Sequence, residues 1–178
     1  GLKVRRPRAC RTSSAITTSC VRASPGCGVS DTRMVSPMPS CSSTDNAAAE
    51  VYHSARDSNG HGTHTGSTSA GDRLASAPVL GVDRGPINGI APGAWVSVYK
   101  VCGLSGCFSS DSAAAVQQAI LDGVKVINFS ISGGTDPFSD PVELAFLDAY
   151  AAGVFVSASA GNGGPEAGTA NHLSPWTT

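Results

Sequence analysis

The sequence predicts an α/β fold: a doubly wound, mostly parallel sheet with helices on both faces. Three observations carry that expectation. Segments between residues 95 and 160 read strand, helix, strand, helix, strand; both helices carry their own start and stop signals; and the last strand is almost wholly apolar or small, as a strand covered on both faces should be. Right-handed crossovers join such strands, and sites in such sheets lie beyond the strands' carboxyl ends, here 130–134 and 160–164.

The elements follow in order. Asn59-Gly60 signals a turn, and the run His61 to Ala70 (HGTHTGSTSA) is small throughout, so it reads as a helix that packs closely against something and ends at Gly71. Residues 74–94 are loop punctuated by Pro and Gly, with room for a hairpin, closing in Gly89-Ile90-Ala91-Pro92-Gly93. Trp95 to Val101 alternates and is rich in β-branched and aromatic residues, which predicts a strand. A helix opens at Asp111, capped by Ser110 or Asp111, and stops at Gly123. Val124 to Ser132 is the next strand. Asp140-Pro141 starts a second helix, with Pro at its favoured first position, that runs to Gly153. Val154 to Ala160 is the last strand.

Length and composition bound the rest. A chain of 178 residues is one domain's worth. Its formal net charge of −1 argues against a nucleic-acid partner or an acidic membrane surface. Charged residues are 14% of the chain, against about 25% in an average protein, and 21 Gly with 11 Pro suggest a loop-rich extracellular protein. No apolar run reaches the roughly 18 residues of a membrane-spanning helix, and the N-terminus lacks the order of a signal peptide. The expectation is a soluble, secreted chain, already processed or truncated.

The near-neutrality is a cancellation. Residues 1–50 hold seven basic and three acidic residues, and residues 51–178 hold five and ten. Val, Ile, Leu and Phe number six in the first stretch and 29 in the second, while four of the six cysteines (Cys10, Cys20, Cys27 and Cys41) fall in the first. The division is therefore 1–50, an unassigned Arg/Ser/Cys-rich segment, and 51–178, a readable α/β domain. The first segment has no helical or strand period; a disulfide-stapled lobe, disorder, and GC-rich coding sequence read out of frame all fit its composition. Six cysteines allow up to three disulfides, and no CxxC pair with partnering His supports zinc. Cys102 and Cys107 are spaced for a small loop bridge, with two buried free thiols as the other reading.

Four ordered motifs carry a resemblance. Asn59-Gly60-His61-Gly62-Thr63-His64-Thr65-Gly66 resembles the histidine motif of subtilisin-like serine proteases, the subtilases. Gly89-Ile-Ala-Pro-Gly93 with the strand after it, Val126-Ile-Asn-Phe-Ser130, and Ser159-Ala-Gly-Asn-Gly-Gly-Pro165 are similar to that family's next segments, the last two to its substrate-binding strand and oxyanion segment. Tyr99-Lys-Val-Cys102 and Ser174-Pro-Trp-Thr177 are similar to the cucumisin-like branch. The resemblance spans roughly residues 51–178 and implies an incomplete subtilisin-like catalytic domain.

The chemistry explains the residue types. A serine hydroxyl needs an imidazole to take its proton, and the imidazole needs a carboxylate to hold its tautomer. The resemblance makes His61 the general base, against the alternative of an ordinary capping or core histidine; His64 is read as structural. The two histidines stand at i, i+3 without an intervening Glu or an evident third ligand, so no metal is assigned, and no cofactor. Asn162 becomes the oxyanion donor, against the alternative of a left-handed turn residue. Ser130, Ile131, Ser132 and Gly133, with Ala160 and Gly161, become the edge that pairs with an extended peptide or protein substrate. Their alternative is a plain strand end with a turn.

For the third partner, Gly28-Val-Ser-Asp31-Thr32 is partly similar to the family's Val-x-Asp-Thr-Gly, with Arg33 where Gly is expected, so Asp31 is a candidate beside a surface-turn reading. Asp57 is structural or on the substrate side. Chain order in the family is Asp, His, Ser, and no Gly-Thr-Ser-Met-Ala segment occurs in the 178 residues. The expectation is a monomeric serine endopeptidase fragment without its nucleophile. A non-catalytic peptide-binding module or pseudoenzyme is the second reading. A nucleotide-binding domain is disfavoured because the glycines at 161, 163 and 164 do not form GxGxxG.

Overall fold

The structure, a computed structural model, describes residues 59–103 and 106–178, together with the backbone of residues 17–22. Among them the main sheet has four strands in the order β4, β1, β7, β8: β1 is Thr17–Arg22, β4 Trp95–Lys100, β7 Val126–Phe129 and β8 Phe155–Ala158. β7 and β8 pair in parallel, Val126 opposite Phe155 and Phe129 opposite Ala158. β1 lies antiparallel to both β4 and β7, so β4, β7 and β8 share one direction and β1 opposes them.

That central strand comes from the segment for which composition predicted no element. Its sequence, TTSCVR, shows no sustained alternation. The physical reason for its place is non-local: β4 and β7 each present a row of main-chain donors and acceptors, and a strand between them satisfies both edges at once. Asp31 and Asp57 lie outside the described residues.

The helices α1 (His61–Ala70), α2 (Ser109–Leu121) and α3 (Pro141–Ala151) sit close to their expected positions. α2 begins two residues before the expected start, and its N-cap position is Phe108, without a side-chain cap. Ser109, Ser110 and Asp111 are thus the first helical residues, and the Asp111 carboxylate stands in the first turn, where the helix dipole favours it. α3 is capped as read: Asp140 accepts from the Val142 and Glu143 amides at 2.8 and 3.2 Å, with Pro141 at the first helical position.

Both helices stop by the same device. Gly123 (φ 73°) donates to Ile120 and Val124 to Ala119; Gly153 (φ 74°) donates to Tyr150 and Val154 to Ala149. These paired bonds are Schellman caps, and each brings a buried Val against a buried Ala. The caps explain why β7 and β8 begin later than the expected strands: Val124 and Val154 are spent closing helices before either strand begins.

The core is one cluster in which Ile127 and Phe129 of β7, Val156 of β8 and Tyr99 of β4 meet Ala115, Val116 and Ala119 of α2 and Val142, Ala145 and Phe146 of α3. Phe129 and Phe146 meet edge to face at 5.0 Å. Tyr99 Oη donates to Asp122 at 2.5 Å, tying β4 to the end of α2. The expectation that β8 is covered on both faces holds only on one. Val156 is buried, while Phe155 on the opposite face is 52% exposed among the described residues.

Two small hairpins complete the picture. β2 (Pro78–Val79) and β3 (Val82–Asp83) are joined by Leu80 and Gly81, both at positive φ, a turn whose twist suits a two-residue hairpin. β5 (Cys102–Gly103) pairs with β6 (Gly106–Cys107), and a disulfide joins Cys102 to Cys107, which decides between bridge and free thiols.

Candidate active site

His61 is the first residue of α1. Gly60 precedes it at φ 95°, a conformation that admits glycine readily, and the Gly60 carbonyl accepts the His64 amide at 3.0 Å to close the first turn. The His61 side chain is exposed. Four hydroxyls of α1 donate to its own carbonyls: Thr65 to Gly62, Ser67 and Thr68 to His64, and Ser69 to Thr65. Burial of the helix is narrower than its small residues suggested: Gly62 and Ala70 are buried, Ser67 is not.

Close packing occurs at the far end of α1. Gly89, Ile90 and Ala91 donate in turn to the carbonyls of Gly71, Thr68 and Ser69 at 2.9–3.0 Å. A Cβ on Gly89 would run into the backbone of Gly71, Ser67 and Ala70. Glycine at 89 is required by space, and Gly89-Ile-Ala-Pro-Gly93 thereby fixes the helix that begins with His61. α1 also packs against β1 and β4.

The second group of candidates lies beyond the carboxyl ends of β7 and β8, as the topology requires. Pairing continues one step past the strands, where Ser159 donates from its amide to Phe129 at 2.9 Å and from its hydroxyl to Ile131 at 3.3 Å. The chains then part, and Asn171 spans the gap. Its Oδ1 accepts from the Gly133 amide at 3.2 Å, and its main-chain and side-chain N–H groups both donate to Ala160, at 3.0 and 3.1 Å. Gly161, at φ 87°, leaves room for that amide, which a Cβ would strike. The structure thus brings Ser130, Ile131, Ser132 and Gly133 beside Ala160 and Gly161, with Asn162 next in the chain and exposed. Non-glycine residues at positive φ among those described are Leu80 and His172, so Asn162 is not a left-handed turn residue.

Not every group of the expected peptide edge is open. The Ile131 carbonyl accepts from His172 Nε2 at 2.7 Å as well as from Ser159, and the Gly133 carbonyl accepts from the His172 amide. Three contributors escaped the sequence reading: Asn171, His172 and Glu143. A signal for the last was present, since Glu143 interrupts the inward positions Val142, Ala145, Phe146 and Ala149 of an apolar helix and so calls for a buried partner. Asn171 and His172 offered none, because the partners that bring them to this site, Ala160, Gly133 and Ile131, stand 11 to 41 residues away.

Near the site, Ser139 and the Phe138 amide hydrogen-bond the Asp136 carboxylate and hold its pKa below the ordinary 3.8. Among the described residues no group of three His, Cys, Asp or Glu side chains is placed to hold a metal ion.

Residues 25–175 match the model of the subtilase family. The chain belongs to that family. Similar relatives include the subtilisin-like protease SBT1.3 of Arabidopsis thaliana, 48% identical over 128 residues, and subtilisin-like protease SBT1.7 of the same plant, 48% identical over 126. These alignments cover 71% and 70% of this chain but 16% and 17% of the relatives, so this subtilase sequence spans about a sixth of their length. Among solved structures, an S41 psychrophilic protease is similar with a TM-score of 0.51 at 32% identity, covering 66% of this chain and 37% of that one. The fold is accordingly the subtilisin-like α/β fold, incomplete. The family match begins upstream of residue 50 and includes Asp31.

Proposed function

We propose that the protein to which this subtilase chain belongs is a secreted serine endopeptidase that cleaves peptide bonds through an acyl-enzyme. His61 serves as general base and then general acid, an aspartate, with Asp31 the candidate, holds its tautomer, and the Asn162 amide donates to the oxyanion. The single observation that carries the reading is the juxtaposition of Ser130–Gly133 with Ala160–Gly161 across Asn171, immediately before Asn162. An extended peptide fits beside that edge, pairing with the main chain at Ser130 and Ser132. A disulfide at Cys102–Cys107 suits an oxidising, extracellular setting, and among the described residues no helix is long and apolar enough to cross a membrane.

No Gly-Thr-Ser-Met-Ala segment occurs in these 178 residues, which favours a second reading of the chain taken alone: a module that binds peptide without cleaving it. One experiment separates the two. The 178-residue chain and the product of the full coding sequence are each treated with a serine-directed phosphonate and assayed for peptide hydrolysis. Labelling and hydrolysis by the longer protein only, both abolished by His61→Ala, are the expected outcome. In that protein Asn162→Ala should lower kcat by about 10²–10³-fold, the loss known for the corresponding donor in subtilisin. Stoichiometric labelling of the 178-residue chain would overturn the account of its nucleophile; absence of hydrolysis by the longer protein would overturn the endopeptidase reading.

A further inference from the structure

Glu143 is fully buried within the inward face of α3. Its Oε1 meets His172 Nδ1 at 2.5 Å, and its Oε2 has no partner among the described atoms. His172 is buried as well, at φ 54°, with its ring against the edges or faces of Phe129 and Phe146 at centroid distances of 5.4 and 5.7 Å. The other ring nitrogen, Nε2, lies 2.7 Å from the Ile131 carbonyl.

Proton counting constrains the pair. A carbonyl can only accept, so His172 Nε2 carries a proton. One further proton lies between Nδ1 and Oε1, whether the groups are written as imidazolium and carboxylate or as imidazole and carboxylic acid. The pair is neutral as a unit in either form, which suits its burial. Without a hydrogen-bond donor at 143, the neutral imidazole is free to carry its proton on Nδ1 instead, and a bare Nε2 lone pair would then face the Ile131 carbonyl. Glu143 therefore decides which nitrogen donates.

What His172 donates to is the peptide edge. Its ring holds the Ile131 carbonyl, its amide donates to the carbonyls of Gly134 at 2.8 Å and Gly133 at 3.3 Å, and its neighbour Asn171 holds the Gly133 amide. Gly134, at φ 57°, completes the arrangement, because a Cβ there would collide with the Glu143 carboxylate. We propose that Glu143 and His172 are positioning residues for the peptide cleft: by fixing the Nε2–H form of His172, Glu143 sets the conformation of the segment Ile131–Gly134. The inference rests on the peptide-edge reading above only for its consequence in peptide binding.

The test uses the full 178-residue chain labelled with ¹⁵N. Long-range proton–nitrogen spectra should show His172 protonated at Nε2, and a bare Nε2 overturns the proposal before any variant is made. Glu143→Gln offers Nδ1 an amide N–H in place of the acid, so it should keep the Nε2–H form and hold hydrogen exchange at the Gly133 and His172 amides within about threefold of the parent. Glu143→Leu, similar in size but without a donor, should raise exchange at those amides by about tenfold or more and lose the Nε2–H signature. Equal exchange in the two variants would reduce Glu143 to a packing role and refute the inference. Should Glu143→Leu fail to fold, the parent's tautomer and the retention of that tautomer in Glu143→Gln decide the matter.

Peptide binding is read separately, by anisotropy of a fluorescein-labelled, alanine-rich hexapeptide. Affinity should fall about tenfold in Glu143→Leu and stay within about threefold in Glu143→Gln. Failure of the parent chain to bind the peptide would count against the peptide-edge reading and leave the positioning role to be decided by exchange and tautomer.

Discussion

Gly89→Ala is the most incisive perturbation of the segment that seats the His61 helix. Residue 89 is buried, and its new methyl would occupy space already filled by the main chain of Gly71, Ser67 and Ala70. Main chain cannot rotate away as a side chain can, so the 89–91 segment and the end of α1 must separate. Separation removes three hydrogen bonds, Gly89 to Gly71, Ile90 to Thr68 and Ala91 to Ser69. At about 1 kcal/mol net for each bond, the expected loss is about 3 kcal/mol. For a chain of this size that corresponds to a fall in Tm of about 6–12 °C. Gly93→Ala is the internal control: it stands in the same five-residue motif, at an ordinary φ, with nothing within 4 Å of the added methyl. Urea unfolding followed by circular dichroism, with ΔΔG taken from midpoints at constant slope, measures both. A Gly89→Ala variant within about 0.5 kcal/mol of Gly93→Ala would show that the close approach does not constrain α1.

Other expectations follow from single features. Asp140→Ala removes the acceptor of the Val142 and Glu143 amides and should cost about 1 kcal/mol in urea unfolding, while Asp140→Asn retains an acceptor and should cost only tenths; equal losses would refute the capping role. The Asp136 carboxylate is held below its ordinary 3.8 by Ser139 and then by the Phe138 amide, so its contribution to the 136–139 turn is present above the ordinary carboxylate range and is lost as pH falls through the lower, folded value. The Phe138 amide shift should therefore titrate with a midpoint below 3.8, and Asp136→Asn should abolish that titration. Reducing Cys102–Cys107, whose members are five residues apart, should cost no more than about 2 kcal/mol by loop entropy; a loss of twice that would point to a role beyond closing the hairpin.

The legible part of this chain is the part governed by neighbours in sequence. Pro141 after Asp140, the stops at Gly123 and Gly153, and the alternation of Trp95 to Lys100 act through contacts within a few residues, so they could be read directly. Even there the ends moved: Phe108 took the cap position expected of Ser110 or Asp111, because a cap depends on where the preceding chain enters the helix. The positions of Ser130–Gly133 and Ala160–Gly161 were inferable too, since parallel strands with crossover helices put their carboxyl ends on one side.

Tertiary structure alone decided the remainder. Thr17–Arg22 has no pattern of its own and becomes a strand because two other strands flank it. Asn171 and His172 look like loop residues until the chain returns them to Gly133 and Ile131, and Glu143 shows only that it needs a partner, not which one. The three helices, the strands at Trp95–Lys100, Val126–Phe129 and Phe155–Ala158, and the family were legible from local dihedral preferences and ordered motifs, though not the exact ends of the elements or the Cys102–Cys107 hairpin. Which backbone groups of Ser130–Gly133 are already occupied was left to the fold, because a hydrogen bond between residues 41 positions apart is selected by packing and leaves no period to read.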